Sequence, residues 1–179
     1  KHPRGFMINL INKLILALLC VGGIAMAKSA VVYFSATGTT KAAAEQIAKI
    51  TGSDILQIEP KVPYTSADLD WQDKNSRTTK ECNDLKNVRP EMAKKLDVSA
   101  YDTIYLGFPI WWYQAPNIVY TFVESVDMNG KDIYPFFTSG GSGVGSSVKN
   151  LSKKAPKAVW KEAKRISGAV SEKEIKGWK

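Results

Sequence analysis

Hydroxyl side chains crowd into one short run, Ser35-Ala36-Thr37-Gly38-Thr39-Thr40. A serine and three threonines there offer donors to an anion. Gly38 permits a backbone angle that a side chain resists. Before the run, Val31-Val32-Tyr33-Phe34 is continuously apolar, β-branched or aromatic, the pattern of a strand covered on both faces. After it, Lys41-Ala42-Ala43-Ala44-Glu45-Gln46-Ile47-Ala48-Lys49 is rich in helix formers. Strand, hydroxyl-rich turn and helix together present the orphan N–H groups of a first helical turn, an uncharged cradle for a phosphate. An ordinary strand-to-helix turn with capping hydroxyls has the same composition. The run is not a Walker loop, since it lacks a Gly-Lys-Ser/Thr ending, and its single glycine is not a dinucleotide fingerprint.

Two further stretches carry chemistry. Thr103-Ile104-Tyr105-Leu106-Gly107 reads as a buried strand, and Phe108-Pro109-Ile110-Trp111-Trp112-Tyr113-Gln114-Ala115-Pro116 follows it directly. A rigid, aromatic loop beyond a strand end is suited to form a flat apolar wall for a ligand. A hydrophobic plug against the next helix is the other reading, and for Trp112 the two stand level. Downstream, Lys131–Phe137 enters another strand and delivers Thr138-Ser139-Gly140-Gly141-Ser142-Gly143, in the most glycine-rich part of the chain. Glycines there let the backbone approach a ligand closely, and Ser139, Ser142 and free N–H groups can meet its polar atoms.

These three stretches, in this order, resemble the flavodoxin family, whose members bind flavin mononucleotide (FMN) without a covalent link. The resemblance runs from about Ala30 to Trp178. It implies a three-layer α/β fold with a five-stranded parallel sheet in the order 2-1-3-4-5. It assigns the phosphate to Ser35, Thr37, Gly38, Thr39 and Thr40. Pro109, Ile110, Trp111 and Trp112 would border the flavin ring on one side, and Ser139, Gly140, Gly141 and Ser142 on another. Tyr64, in the breaker segment Pro60–Thr65, matches the position of the family's second ring-contacting loop.

The remaining pattern fits elements that would position those loops. Ser53–Glu59 reads as a second strand, entered through Thr51-Gly52. Ser66–Asn87 is a polar excursion marked by Trp71, with an irregular helix expected around Asp68–Lys80. Pro90–Leu96 reads as a short helix with proline near its start. Asn117–Val126 reads as a helix after Pro116. Pro135 is odd within a strand and points to a bulge. Val148–Lys154 reads as a short helix, and Ala158–Lys164, alternating with charge, as an edge strand. Ser171 and Glu174 have the spacing of a capping box.

The 179 residues suffice for one domain with a sizeable core. The formal charge is +8, but residues 31–179 carry 21 basic and 17 acidic residues, a net of +4. No arginine cluster or basic-aromatic repeat indicates nucleic acid. This balance reads as a solvated, slightly cationic surface, with a docking face for an acidic redox partner as the sharper alternative; many members of the family are acidic. The only histidine, His2, precedes the domain, and Cys82 is the only cysteine after Cys20. The domain therefore offers neither a histidine triad nor a thiolate cluster, and no disulfide within itself.

Ahead of the domain, Met7 is a candidate start, Lys13 supplies a basic flank, Leu14–Ala27 is uncharged, and Ala25-Met26-Ala27 fits a small-x-small cleavage pattern. That arrangement reads as a secretory signal peptide over residues 1–27, with the domain at 28–179. It implies an exported, periplasmic or extracytoplasmic protein with no stable membrane insertion after cleavage, or an anchored one if the leader stays.

For function, the resemblance implies an FMN-dependent electron carrier working between redox proteins. Two alternatives stand beside it. One is a reductase that moves hydride from NAD(P)H through FMN to a quinone or similar small electron acceptor. The other is a flavodoxin-like binding module without strong cofactor affinity.

Overall fold

The computed structural model describes residues 27–178. The first strand, β1 (Ser29–Tyr33), lies inside a parallel sheet with neighbours on both edges. Its apolar run is buried throughout, and the two-residue alternation of a strand divides it between two cores. Ala30, Val32 and Phe34 join Ile104, Leu106 and Phe108 on one face, whereas Val31 and Tyr33 join Phe136 on the other. This is why no polar residue interrupts the run.

Beyond β1 come α1 (Thr39–Thr51), β2 (Asp54–Gln57), α2 (Arg77–Asn83), β3 (Thr103–Pro109), α3 (Asn117–Ser125), β4 (Asp132–Thr138), α4 (Ser147–Ser152), β5 (Val159–Trp160), β6 (Lys164–Arg165) and α5 (Glu172–Lys176). The sheet order is β2-β1-β3-β4-β5, with every pairing parallel. The expected α/β class and strand order therefore hold. Helices cover both faces. Ala43, Ala44 and Ile47 of α1 pack with Ile175 of α5 and Trp178 on one side. Ile118, Val119, Phe122 and Val123 of α3 pack with Leu151 of α4 on the other. Gly107 is needed for that fit: a Cβ there would stand 2.1 Å from the Phe136 ring.

The fifth strand position is filled by two short strands, β5 and β6, both paired with β4. Pro135 explains the break. Lys161 N–H donates to the Ile133 carbonyl at 2.9 Å, and Ile166 N–H donates to the Phe137 carbonyl at 2.8 Å. Strand groups alternate sides, so Pro135 faces the same edge between these two bonds and has no N–H to offer. The expected bulge in β4 is absent among the described residues; Pro135 keeps regular register with Leu106, and the irregularity appears in its neighbour instead.

Two helical expectations are corrected. Pro90–Leu96 is not helical. Pro60 and Met92 form an antiparallel bridge, with Lys61 N–H donating to the Glu91 carbonyl at 2.8 Å and Ala93 N–H to the Glu59 carbonyl at 2.7 Å. Pairing with the chain after β2 satisfies that backbone better than one isolated helical turn. In the excursion, residues 68–75 form turns and the helix starts only at Arg77, after Ser76 accepts from Thr79 N–H at 3.3 Å. At the carboxyl end, the capping box of Ser171 and Glu174 is present. The expected leader, residues 1–27, lies outside the described residues apart from Ala27. No helix among the described residues is long and apolar enough to cross a membrane.

Candidate functional site

The strand order reverses between β1 and β3, and the loops after β1, β3 and β4 leave the sheet at its carboxyl end. A cleft opens there in such sheets. Here it is a cavity of about 1130 Å³. It brings together most of the residues singled out in the sequence: Ser35, Thr37, Thr39 and Thr40, Pro109 to Trp112, and Ser139, Gly140 and Ser142.

The first loop is shaped by Gly38, whose φ of 92° lies in the left-handed region. Its N–H donates to Ser35 Oγ at 3.1 Å. Helix α1 starts next, and its first backbone bond runs from Ala42 N–H to the Gly38 carbonyl at 3.0 Å. The N–H groups of Thr39, Thr40 and Lys41 find no acceptor among the described residues, and α1 has no side-chain cap. The positive end of a 13-residue helix therefore opens beside the Ser35, Thr37 and Thr39 hydroxyls. Gly38 shapes this loop but does not line the cavity.

Thr40 has a different role from its neighbours. It is buried, and its hydroxyl lies 2.8 Å from that of Thr138 at the end of β4. The Thr138 carbonyl also accepts from Ile110 N–H at 2.9 Å. Thr138 thus ties all three loops together, a task that no local pattern around it announces. The third loop closes through Ser139 Oγ donating to the Ser142 carbonyl at 2.5 Å, while Arg165 Nη2 donates to the Ser139 carbonyl at 3.2 Å. Gly141 stays on the solvent side of this loop and does not line the cavity.

The aromatic wall is a tight turn. Trp111 and Gln114 exchange both backbone hydrogen bonds, at 2.9 and 3.0 Å. Trp112 and Tyr113 between them have φ of 52° and 60°. Positive φ at both central positions matches the twist of a two-residue hairpin, but glycine or asparagine is the usual occupant. Two bulky rings held there cost about 1–3 kcal/mol each. The surroundings hold the turn in place. Gln114 Nε2 donates to the Cys82 carbonyl at 2.9 Å, and Ser146 N–H donates to the Tyr113 carbonyl at 3.1 Å. Gly145 lets that approach occur, since a Cβ there would meet the Tyr113 carbonyl oxygen at 1.9 Å. Trp112 keeps 43% of its surface exposed and lines the cavity, so it is not a plug.

Tyr64 is not brought to the cavity. Its ring packs edge-on against Phe34 and Trp111, at centroid distances of 5.7 and 5.3 Å. Its hydroxyl donates to Glu81 Oε2 at 2.7 Å, and Arg77 Nε donates to Glu81 Oε1 at 2.7 Å. The Arg77 guanidinium lies 3.9 Å from the Tyr64 ring centre. Burial, and then the Glu81 carboxylate, push the Tyr64 hydroxyl far above the usual tyrosine range. Tyr64 therefore supports Trp111 from behind, because the hydroxyl finds its partner in α2 rather than at the cleft. Burial also pushes the neighbouring Cys82 thiol up to about 12.

The excursion supplies wall residues that sequence reasoning missed: Leu69, Trp71 and Thr78. Thr78 donates to the Asp68 carbonyl through both its hydroxyl, at 2.7 Å, and its N–H, at 3.1 Å. That clasp folds the turn carrying Leu69 and Trp71 back over α2. Trp71 was a signal, as a lone large apolar residue in a polar stretch. Gln46, Tyr113, residues 166–168, Ala36, Ala42, Ala43 and Thr138 complete the lining. Among the described residues, no Asp, Glu, Lys, Arg or His side chain lines the cavity.

Residues 28–179 match the family model described as Flavodoxin. Among solved structures, a protein of Bacteroides uniformis assigned as a flavoprotein is 45% identical, with a TM-score of 0.79, covering 85% of this chain and 97% of its own. One of Bacteroides eggerthii, assigned likewise, is 46% identical, with a TM-score of 0.80, covering 85% and 95%. A flavoprotein from Lactobacillus acidophilus, solved in complex with FMN, shares the fold at 22% identity, with a TM-score of 0.65 and coverage of 85% and 98%. No curated protein matches the chain. With the doubly covered parallel sheet, its strand order and the near-complete match, the chain belongs to the flavodoxin family.

Proposed function

We propose that this protein binds one FMN in the cavity and serves as an electron carrier between redox proteins. The observation that carries the reading is the opening of α1: three N–H groups without a partner among the described residues converge with three hydroxyls where a phosphate would sit, and no carboxylate of those residues lines the cavity to repel it. The donor set fits a phosphate monoester, and the aromatic wall fits a flat apolar ring. Ser35, Thr37 and Thr39 hold the phosphate with hydroxyls and α1 with backbone donors. Gly38 sets the angle of the loop. Thr40 fixes it to Thr138. Pro109, Ile110, Trp111 and Trp112 exclude water along one wall of the ring site, and Ser139, Gly140 and Ser142 bound another. When bound, FMN supplies one- or two-electron transfer. Among the described residues the lining has no Asp, Glu, Lys, Arg or His to move a proton, which suits electron carriage over acid–base chemistry.

The mildly basic domain steers an acidic partner, so its association rate falls as ionic strength rises. The leader directs export, and FMN is acquired after it. A second reading, transfer to a small acceptor held in the same cleft, is favoured by one observation. The cavity, at about 1130 Å³, exceeds the range of about 300–1,000 Å³ common for a single small ligand.

Calorimetric titration of residues 28–179 with FMN and with riboflavin tests the reading. FMN saturates one site, riboflavin binds far more weakly for want of the phosphate, and Gly38→Val reduces the difference. Equal binding of the two flavins, or no saturable FMN binding at micromolar concentration, overturns it. Leader-dependent secretion of a reporter tests export, and retention in the cytoplasm refutes that part.

A further inference from the structure

We propose that the margin of the sheet beyond β4, formed by α4, the turn after it, β5 and β6, is the face on which an acidic protein partner docks. Docking there stands on charge. Its use in electron transfer rests on the reading of the cleft as a flavin site.

The charge of the domain is not spread evenly. Residues 149–165 hold seven basic residues and one acidic residue, a net of +6, whereas the rest of residues 31–179 holds 14 basic and 16 acidic, a net of −2. The whole positive excess therefore lies in one short stretch that folds on one side. Among the described residues no strand lies beyond β5 and β6, so this side is an open edge. Trp160 Nε1 donates to the Ala155 carbonyl at 3.1 Å, and Gly130 N–H to the Lys157 carbonyl at 3.0 Å, which holds the turn between α4 and β5 against that edge.

Little of this charge is consumed inside the fold. Lys149, Lys153 and Lys157 are exposed and have no carboxylate partner among the described residues. Lys154 pairs with Glu124 at 2.9 Å, but Arg89 holds the same carboxylate at 2.6 Å. Lys161 pairs with Asp132 at 3.1 Å. Lys164 donates to the Glu174 carbonyl at 2.7 Å, a neutral acceptor. Lysine on an edge strand also keeps other strands from adding there. That accounts for Lys161 and Lys164, at the two short strands, but not for the three unpaired lysines, which lie on α4 and the turn.

The edge is joined to the cleft. Arg165 Nη2 donates to the Ser139 carbonyl at 3.2 Å, and β6 runs directly into residues 166–168 of the cavity wall. A partner lying along the edge therefore meets the third loop. Residue type selects a protein over other polyanions. Six of the seven cations are lysines, compact point charges rather than the planar forks that grip phosphate bidentately. Among the described residues, Val159 is the one large apolar side chain exposed at this edge, so a bilayer would gain charge contacts without the apolar burial that holds an interfacial protein. Carboxylates dispersed over a folded surface match single ammonium groups and give the weak, rapid encounter that redox partners use.

The probe is a poly-L-glutamate chain of about 20 residues, long enough to span the edge, titrated into isotope-labelled protein at low salt with and without FMN and followed by amide NMR. Shifts concentrate at residues 149–165 and reach Ser139, and they fade as salt rises to about 0.3 M, where charges beyond about 6 Å are screened. Lys149→Glu, Lys153→Glu and Lys157→Glu together weaken binding at least about tenfold. Lys49→Glu, Lys86→Glu and Lys94→Glu, the same change in net charge at exposed sites elsewhere, leave it within about threefold. Docking at this edge is overturned if the peptide does not bind, if the shifts centre on another surface, or if the second triple variant weakens binding as much as the first. Stronger binding, at equal negative charge, to vesicles of three parts phosphatidylcholine and one part phosphatidylglycerol overturns the protein partner in favour of a membrane. If FMN does not bind but the peptide does, the docking face stands and its use in electron transfer falls.

Discussion

Glu81 is the residue whose loss should be felt furthest from where it sits. It is 6% exposed, at the centre of α2, with one carboxylate oxygen on Tyr64 Oη and the other on Arg77 Nε, both at 2.7 Å. Glu81→Ala removes two hydrogen bonds to a charged group, each worth about 1.5–3 kcal/mol. Arg77 keeps the Val62 carbonyl at 2.8 Å and is partly solvated, with 24% of its side chain exposed, so its share is discounted. Tyr64 Oη is left buried without a partner. The net loss is about 3 kcal/mol, near the low end for breaking a buried ion pair. For a domain of this size it lowers Tm by about 6–12 °C. Urea denaturation of FMN-free protein measures it, in a double-mutant cycle with Tyr64→Phe. The two changes share one bond, so their costs together fall short of the sum by about 1 kcal/mol or more. FMN affinity should also fall, because Trp111 leans on the Tyr64 ring. Full additivity, or a cost for Glu81→Ala below about 1 kcal/mol, would refute the network as the support of the aromatic wall.

Other consequences are simpler to read. Gly107→Ala forces a Cβ to within 2.1 Å of Phe136 and should cost about 1–3 kcal/mol or more by overpacking; an unchanged urea midpoint contradicts the tight contact. Cys82, buried with its thiol pushed up to about 12, should resist a disulfide reagent at pH 8 in the native state and react at once in urea. Immediate native modification would show an open α2. Glu124 is held down to about 2, first by hydrogen bonds from Arg89 and, against the opposing effect of burial, by Lys154 as well. A depressed carboxylate stabilises the fold above its unfolded value, near 4.5, and that contribution is lost as pH falls toward 2. Discounted for solvent screening, it is about 1 kcal/mol. Arg89→Ala should raise the Glu124 value in a carboxyl-detected NMR titration, and no movement would remove the pair from the acid response.

The class of fold was legible because its signals are local. An uninterrupted apolar strand followed by hydroxyls and a helix former run can be read at Val31–Lys49, and the capping box at Ser171 is a spacing of three. The strand order came by resemblance alone. Pro135 illustrates the limit. Its missing N–H is visible in the sequence, but which edge it faces, and so the split of β5 from β6, depends on the register of β4. Pro90–Leu96 has a helical composition, yet its backbone groups find partners after β2, about 30 residues away.

The sequence by itself determined the chemical character of the cleft: hydroxyls without charge in the first loop, aromatic rings in the second, glycine and serine in the third. Those are properties of residue type and need no partner. Only the tertiary structure decided where each side chain spends its bonding capacity. Thr40 turns to Thr138 across 98 residues. Tyr64 turns away from the cleft to Glu81, and Trp71 comes to the cavity from a stretch with no periodicity. Hydrogen bonds and packing between distant segments are settled by which groups folding leaves without water, and that is set by the whole chain at once.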